Sequence, residues 1–230
     1  MLDQSTIKGR LIAAAMKRAA ERPWRDVTLN EIAATAGVSL VDVRNVFASK
    51  GDLLAAFVRM VDDAVIARAP QRSGTQPPRD ALFEVIMSRF DVLAAYKPAL
   101  KSIAASRPLE PALACAVARS QPWMLRAAGI RADGIEGHLR ATGLGALYAS
   151  VYRTWLDDDD PGLAKTMAAL DRRLRRGEQA LQRVDEVVGK LCGFAKSCCD
   201  AATKQRSASP PPTSDPSTDA AASIPPGALS

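Results

Sequence analysis

Three hydroxyl–x–x–carboxylate motifs crowd into residues 28–52: Thr28-Leu-Asn-Glu31, Ser39-Leu-Val-Asp42 and Ser49-Lys-Gly-Asp52. A hydroxyl at a helix N-cap accepts a bond from the third amide of the helix, and a carboxylate at that third position reaches back to the cap. Each motif therefore marks a helix start. Gly37 lies two residues before the second start, where a left-handed residue closes the preceding helix. Val27 is placed to pack on Ile32 and Val38 on Val43, which sets the entry angle of each helix. Apolar residues recur at helical spacing over Ile7, Leu11, Ala15 and Ala19, over Leu29, Ile32, Ala33 and Ala36, and over Leu53, Leu54, Phe57, Val58, Val61 and Val65. Two short helices joined by a tight turn and braced by a preceding helix are the plan of a helix-turn-helix. Such a turn lets the second helix project into a major groove while the first spans the backbone. This is a binding shape rather than a catalytic one.

The rest of the 230-residue chain agrees with an all-α fold. Alanine supplies much of the 47% apolar content and aromatic residues only 5%, so sandwiches and doubly wound sheets are unexpected. The N-terminus shows no leader pattern, and the longest uncharged stretch of note is Ala141–Tyr152, too short to span a bilayer, so a soluble cytoplasmic protein is expected. Cys115, Cys192, Cys198 and Cys199 read as free thiols, and a single histidine, His138, supports no metal site, so no metal or other cofactor is expected. The formal charge of +6 is not concentrated in the first seventy residues, where 10 basic groups face 8 acidic ones. Any DNA argument therefore rests on geometry rather than bulk charge. The densest basic run, Arg172–Arg176, reads as a solvated helix face.

These patterns divide the chain into four segments: 1–50 as a helix-turn-helix domain, 51–69 as a connecting helix, 80–200 as a second helical domain, and 203–230 as a disordered tail. The break at Pro70–Arg79 is rich in Pro, Gly and polar residues, and the tail carries six prolines with almost no large apolar residue. In the second domain the stripes run through Leu82, Val85, Ile86, Phe90 and Leu93, through Leu113, Val117 and Met124, and through Leu144, Leu147, Tyr148, Val151 and Trp155. Gly143, Gly145, Ala146 and Ala149 leave one face nearly bare, which suits close helix packing. A regular seam from Leu163 to Leu191 calls for a partner helix.

The stretch Trp24–Ser39, with Val43, Phe47-Ala-Ser-Lys50 and Gly51-Asp-Leu-Leu54, resembles the DNA-binding region of TetR-type transcriptional regulators over residues 6–58. That resemblance implies an all-helical homodimer, with residues 80–200 as the effector-binding and dimerisation domain, on double-stranded DNA with a pseudo-palindromic operator, acting as a repressor that a small hydrophobic effector releases. Carried over by position, Thr28 and Lys50 would contact phosphate, Leu40, Val41, Arg44 and Asn45 would face the groove, and Val43 and Phe47 would be core. Asp42 and Arg44 depart from the family pattern. Arg44 suits phosphate or guanine, whereas Asp42 either caps with Ser39 or turns a carboxylate toward the duplex.

Residues 124–178 show a second resemblance, through Trp155-Leu-Asp157 and Leu170-Asp-Arg-Arg173, to the TetR-fold lipid-binding accessory protein of ubiquinone biosynthesis. It implies a domain able to hold a hydrophobic ligand. Under this alternative the chain would be an isoprenoid-binding accessory protein touching a membrane surface. Candidate ligand contacts are Met87, Trp123, Met124, Tyr148, Tyr152 and Trp155. Asp157–Asp160 reads as a solvated helix-start cluster. The chain carries no phosphate loop, nucleophile elbow or histidine pair, so no enzymatic activity is expected.

Overall fold

Each cap motif starts a helix at the expected place. A computed structural model describes residues 4–69, 76–106 and 110–179. Helix α1 (Ile7–Glu21) is capped by the Thr6 hydroxyl on the Gly9 amide at 3.0 Å and leads through a 3₁₀ turn (Trp24–Asp26) to α2 (Leu29–Ala36). Helices α3 (Leu40–Val46) and α4 (Lys50–Arg68) come next. Thr28 and Ser39 both form the full reciprocal box with Glu31 and Asp42. At Ser49 the Asp52 amide is capped at 3.1 Å, but the returning carboxylate takes the Ser49 hydroxyl at 2.9 Å.

Gly37 ends α2 with φ 63° and ψ 42°, and its amide and that of Val38 take up carbonyls of the last turn. This left-handed conformation is open to glycine at little strain and orients α3 after only two linking residues. Leu11, Ile12, Ala15, Ile32, Val43, Phe47, Leu53 and Phe57 fuse α1–α4 into one apolar core. Val43 and Phe47 thus lie inside, as expected.

Beyond the connection come α5 (Pro78–Ala94), α6 (Lys97–Ala105), α7 (Pro111–Ala127) and α8 (Gly134–Leu156), and then a helix over residues 164–179, here α9. Prolines at the first turns of α5, α6 and α7 suit the positions where the amide has no helical partner. Pro122 is carried inside α7 without ending it. All described elements are helical, and the core continues from the first helices through Ile86, Phe90, Leu93, Met124, Val151 and Trp155 to Leu170 and Leu174.

Hydrogen bonds and helix packing fasten the first four helices to the second half of the fold. Ser102 on α6 accepts the Trp24 amide at 2.9 Å and donates to the Arg22 carbonyl at 3.0 Å. Helix α4 also packs lengthwise on α7. The bare face predicted for α8 is divided: Gly145 approaches Gln121 of α7, whereas Gly143, Ala146 and Ala149 are exposed. Of the acidic cluster, Asp158 is buried rather than solvated. Its carboxylate accepts the Thr166 amide at 2.8 Å and the Thr166 hydroxyl at 2.7 Å, and so anchors the start of α9. The segments 180–230, with Cys192, Cys198, Cys199, the end of the predicted seam and the predicted tail, lie outside the described residues.

Replacing Gly37 by alanine forces an L side chain into the left-handed region. Urea denaturation is expected to register a loss of about 1–2 kcal/mol for Gly37→Ala and a smaller loss for Gly37→Asn, since asparagine tolerates this region better. Equal stability of Gly37→Ala and the parent contradicts this role for the turn.

Candidate nucleic-acid interface

The recognition geometry grows from the caps. With Ser39 holding the first turn and Val43 turned into the core at 2% exposure, helical periodicity leaves Leu40, Val41, Arg44 and Asn45 together on the outer face of α3. Leu40 and Val41 are 52% and 60% exposed, an uncommon state for large aliphatic side chains in so short a helix. Arg44 is also exposed and makes no ion pair among the described residues. Apolar contacts of this kind suit thymine methyls, and a guanidinium suits guanine or phosphate. Val46, 36% exposed at the end of α3, extends this exposed apolar surface.

Asp42 is occupied by capping. Its carboxylate accepts the Ser39 hydroxyl at 2.7 Å and the Ser39 amide at 3.0 Å, bonds that hold its pKa below the ordinary aspartate value. Glu31 is lowered in the same way by the Thr28 amide and hydroxyl. The Thr28 hydroxyl is thereby committed inside the box, while Thr28 itself stays exposed at the head of α2.

Lys50 is engaged internally. Its ammonium donates to the carbonyls of Trp24 at 3.1 Å and Val27 at 2.8 Å, and it sits 5.0 Å from the centre of the Trp24 ring. It staples the start of α4 onto the turn preceding α2. An ammonium has three donors, so two carbonyls leave one for a further acceptor.

The six residues predicted to contact a ligand separate. Tyr148 and Trp155 stack on Phe90, with ring centres 5.7 and 5.3 Å from it, Tyr152 lies between these two rings on α8, and Met124 is buried in the same apolar core. Met87 is half-buried at the edge of this core. Trp123 points outward, 54% exposed, with Arg126 over its ring.

Sequence reasoning missed the buried charge that lies against Tyr148. Arg89, 2% exposed, pairs with Asp62 of α4, donates to Ser120 of α7 at 2.7 Å and to the Tyr148 hydroxyl at 3.1 Å, and its NH1 lies 3.4 Å from the Met124 sulfur. Ser120 also donates to Asp62 at 2.7 Å, while the buried Gln121 oxygen beside it has no partner. Burial opposes the charge on Arg89, but Tyr148 and Asp62 outweigh it and raise its pKa. Burial raises Asp62 despite the pull of Arg89, and it raises the phenols of Tyr148 and Tyr152. The guanidinium is the fixed charge of the cluster, to which the carboxylate answers. The available signal was a charged residue on each apolar stripe: Asp62 beside Val61, Arg89 beside Phe90.

Residues 11–57 match the family described as bacterial regulatory proteins, tetR family. The structure is similar to a TetR transcriptional regulator from Nitrosomonas europaea ATCC 19718, with 22% identity, a TM-score of 0.57 and coverage of 74% of this chain and 97% of that one. A TetR transcriptional regulator from Rhodococcus sp. RHA1 gives 21% identity, a TM-score of 0.56 and coverage of 75% and 96%. No curated protein matches the chain. These structures are transcriptional regulators and lend no support to the resemblance of residues 124–178 to the ubiquinone accessory protein.

Removing one partner from a buried ion pair strands the other, so Asp62→Ala is expected to lose about 3–5 kcal/mol in urea denaturation, with most of it recovered when Asp62→Leu is combined with Arg89→Met. No recovery in the double variant contradicts the pairing. The carboxylates of Glu31 and Asp42 have lowered folded pKa values, so their capping is complete above the unfolded value and fades as pH falls through the folded one. The stability deficit of a Thr28→Ala/Ser39→Ala variant should stay constant from about pH 5 to 8 and shrink below about pH 4. A deficit that instead changes between about pH 6 and 8 points to other groups.

Proposed function

Since residues 11–57 form a TetR-family domain on a fold shared with TetR regulators, we propose that this chain is a sequence-specific DNA-binding transcriptional repressor working as a homodimer. The observation that carries this reading is the outer face of α3, where Leu40, Val41, Arg44 and Asn45 stand exposed on a helix fixed from behind by Val43 and Phe47. Such a face loses its exposed apolar surface when a groove receives it. Thr28 at the head of α2 and the remaining donor of Lys50 lie on elements that would run along the phosphates.

The dimer reading rests on α8. Ile135, 85% exposed, and Leu139, 62% exposed, continue through Thr142, Ala146 and Ala149 at alternating spacings of four and three, the pattern of a helix seam. With Gly143 bare beside it, a second copy's helix can approach closely. Two-fold pairing would place two α3 helices in successive major grooves about 34 Å apart.

Release by a hydrophobic effector rests on the aromatic cluster of the second half. Its rings touch one another, so a ligand entering among Met124, Tyr148, Tyr152 and Trp155 must displace them. Through Arg89 and Asp62 that displacement reaches α4, whose first turn is stapled to the α2 side of the reading head.

Fluorescence anisotropy with duplexes selected from a random library by the full chain tests the proposal. Binding is expected to weaken steeply with salt. Arg44→Ala should cost about 1–3 kcal/mol, mostly on the selected sequence. Absent or salt-insensitive binding, or an unaffected Arg44→Ala variant, overturns it.

A further inference from the structure

Helix α9 (164–179) runs between two grooves of opposite electrical character. One, about 390 Å³, is lined by Arg79 together with Asp80, Glu84 and Asp171, and Arg79 is paired to Asp80 at 3.0 Å and to Glu178 at 3.6 Å. The other, about 600 Å³, is lined by Lys165, Arg172, Arg173, Arg176 and Thr154, with three alanines and no carboxylate. None of its four cations makes an ion pair or hydrogen bond among the described residues, whereas Arg175 in the same run is held by Asp171 at 2.9 Å.

The spacing explains the concentration. Positions 165, 172, 173 and 176 fall on one stripe of a helix, so like charges stand side by side and repel. The alanines leave the groove unfilled, since no large side chain occupies the space between the cations. The wall is also set in place: Asp158 anchors Thr166 at the start of α9, and the Lys97 ammonium holds the Asp158 carbonyl.

We propose that this groove is a binding site for a small phosphorylated polyanion. Guanidinium groups bind phosphoryl oxygens in pairs, and several of them around one cleft neutralise a pyrophosphate better than a single carboxylate. The volume matches that of small-molecule sites, and the alanines accept an apolar or planar portion attached to the phosphate. Binding would relieve the repulsion among the four cations and stiffen the junction of α8 and α9. The site stands on observations separate from those of α3, so either reading can fail without the other.

Isothermal titration of the full chain uses inorganic pyrophosphate and ADP as probes, at low and raised chloride. Saturable binding is expected, weakened at least about tenfold in Arg172→Gln/Arg176→Gln and changed less than about twofold in Arg175→Gln, with circular dichroism confirming that both variants are folded. Stronger binding of ADP than of pyrophosphate supports use of the alanine-lined space. The proposal is overturned by absence of saturable binding, by equal weakening in Arg175→Gln, or by unchanged binding in the double variant. It is likewise overturned if the groove cations affect only flotation with phosphatidylglycerol vesicles, or only retention of duplex DNA.

Discussion

Helix α4 is shared between the reading head and the helices behind it, and the buried pair Asp62–Arg89 holds it there. A charge pair taken out of water costs several kcal/mol in desolvation and returns it only if every remaining donor and acceptor is met. Ser120, Tyr148 and Met124 supply those partners from α7 and α8. Four helices therefore meet at one guanidinium. Apolar packing alone would let α4 slide over its neighbours by small steps, whereas hydrogen-bond geometry makes displaced arrangements discretely worse. At its other end α4 is equally constrained, because Lys50 grips the carbonyls of Trp24 and Val27.

The head itself depends on local chemistry. Reciprocal boxes at Thr28 and Ser39 satisfy amides at the starts of α2 and α3, and Gly37 meets the carbonyls left over between them. Helices of eight and seven residues are too short to persist alone in water. Burial of Ile32, Val43 and Phe47 against α1 and α4 supplies the rest. The outward residues of α3 are consequently free to be chosen for a partner rather than for the core.

Much of this was legible in the residues. Cap motifs and stripes placed α1–α4, and the glycine position foretold the left-handed turn. The Ser39–Asp42 box resolved the one ambiguous carboxylate toward capping. What escaped was tertiary: Lys50 also holds two carbonyls, which lie 26 and 23 residues away in sequence. Trp123 and Met124 were both expected at the ligand, yet neighbours on a helix point about 100° apart, and Met124 took the core. Asp158 belonged to a run of four carboxylates, and only the fold could show that one of them is buried on Thr166. Asp62 and Arg89 interrupt apolar stripes, a pattern that periodicity counts as noise unless two such interruptions are matched by charge.

The proposed gene control requires that the outer face of α3 enter a groove at a spacing fixed by a second copy of the chain. Hydroxyl-radical footprinting of the full chain on a selected duplex measures this directly. Two protected windows on one face of the helix, with centres about ten base pairs apart, are the predicted result. A single unbroken tract, or protection with no helical periodicity, contradicts it.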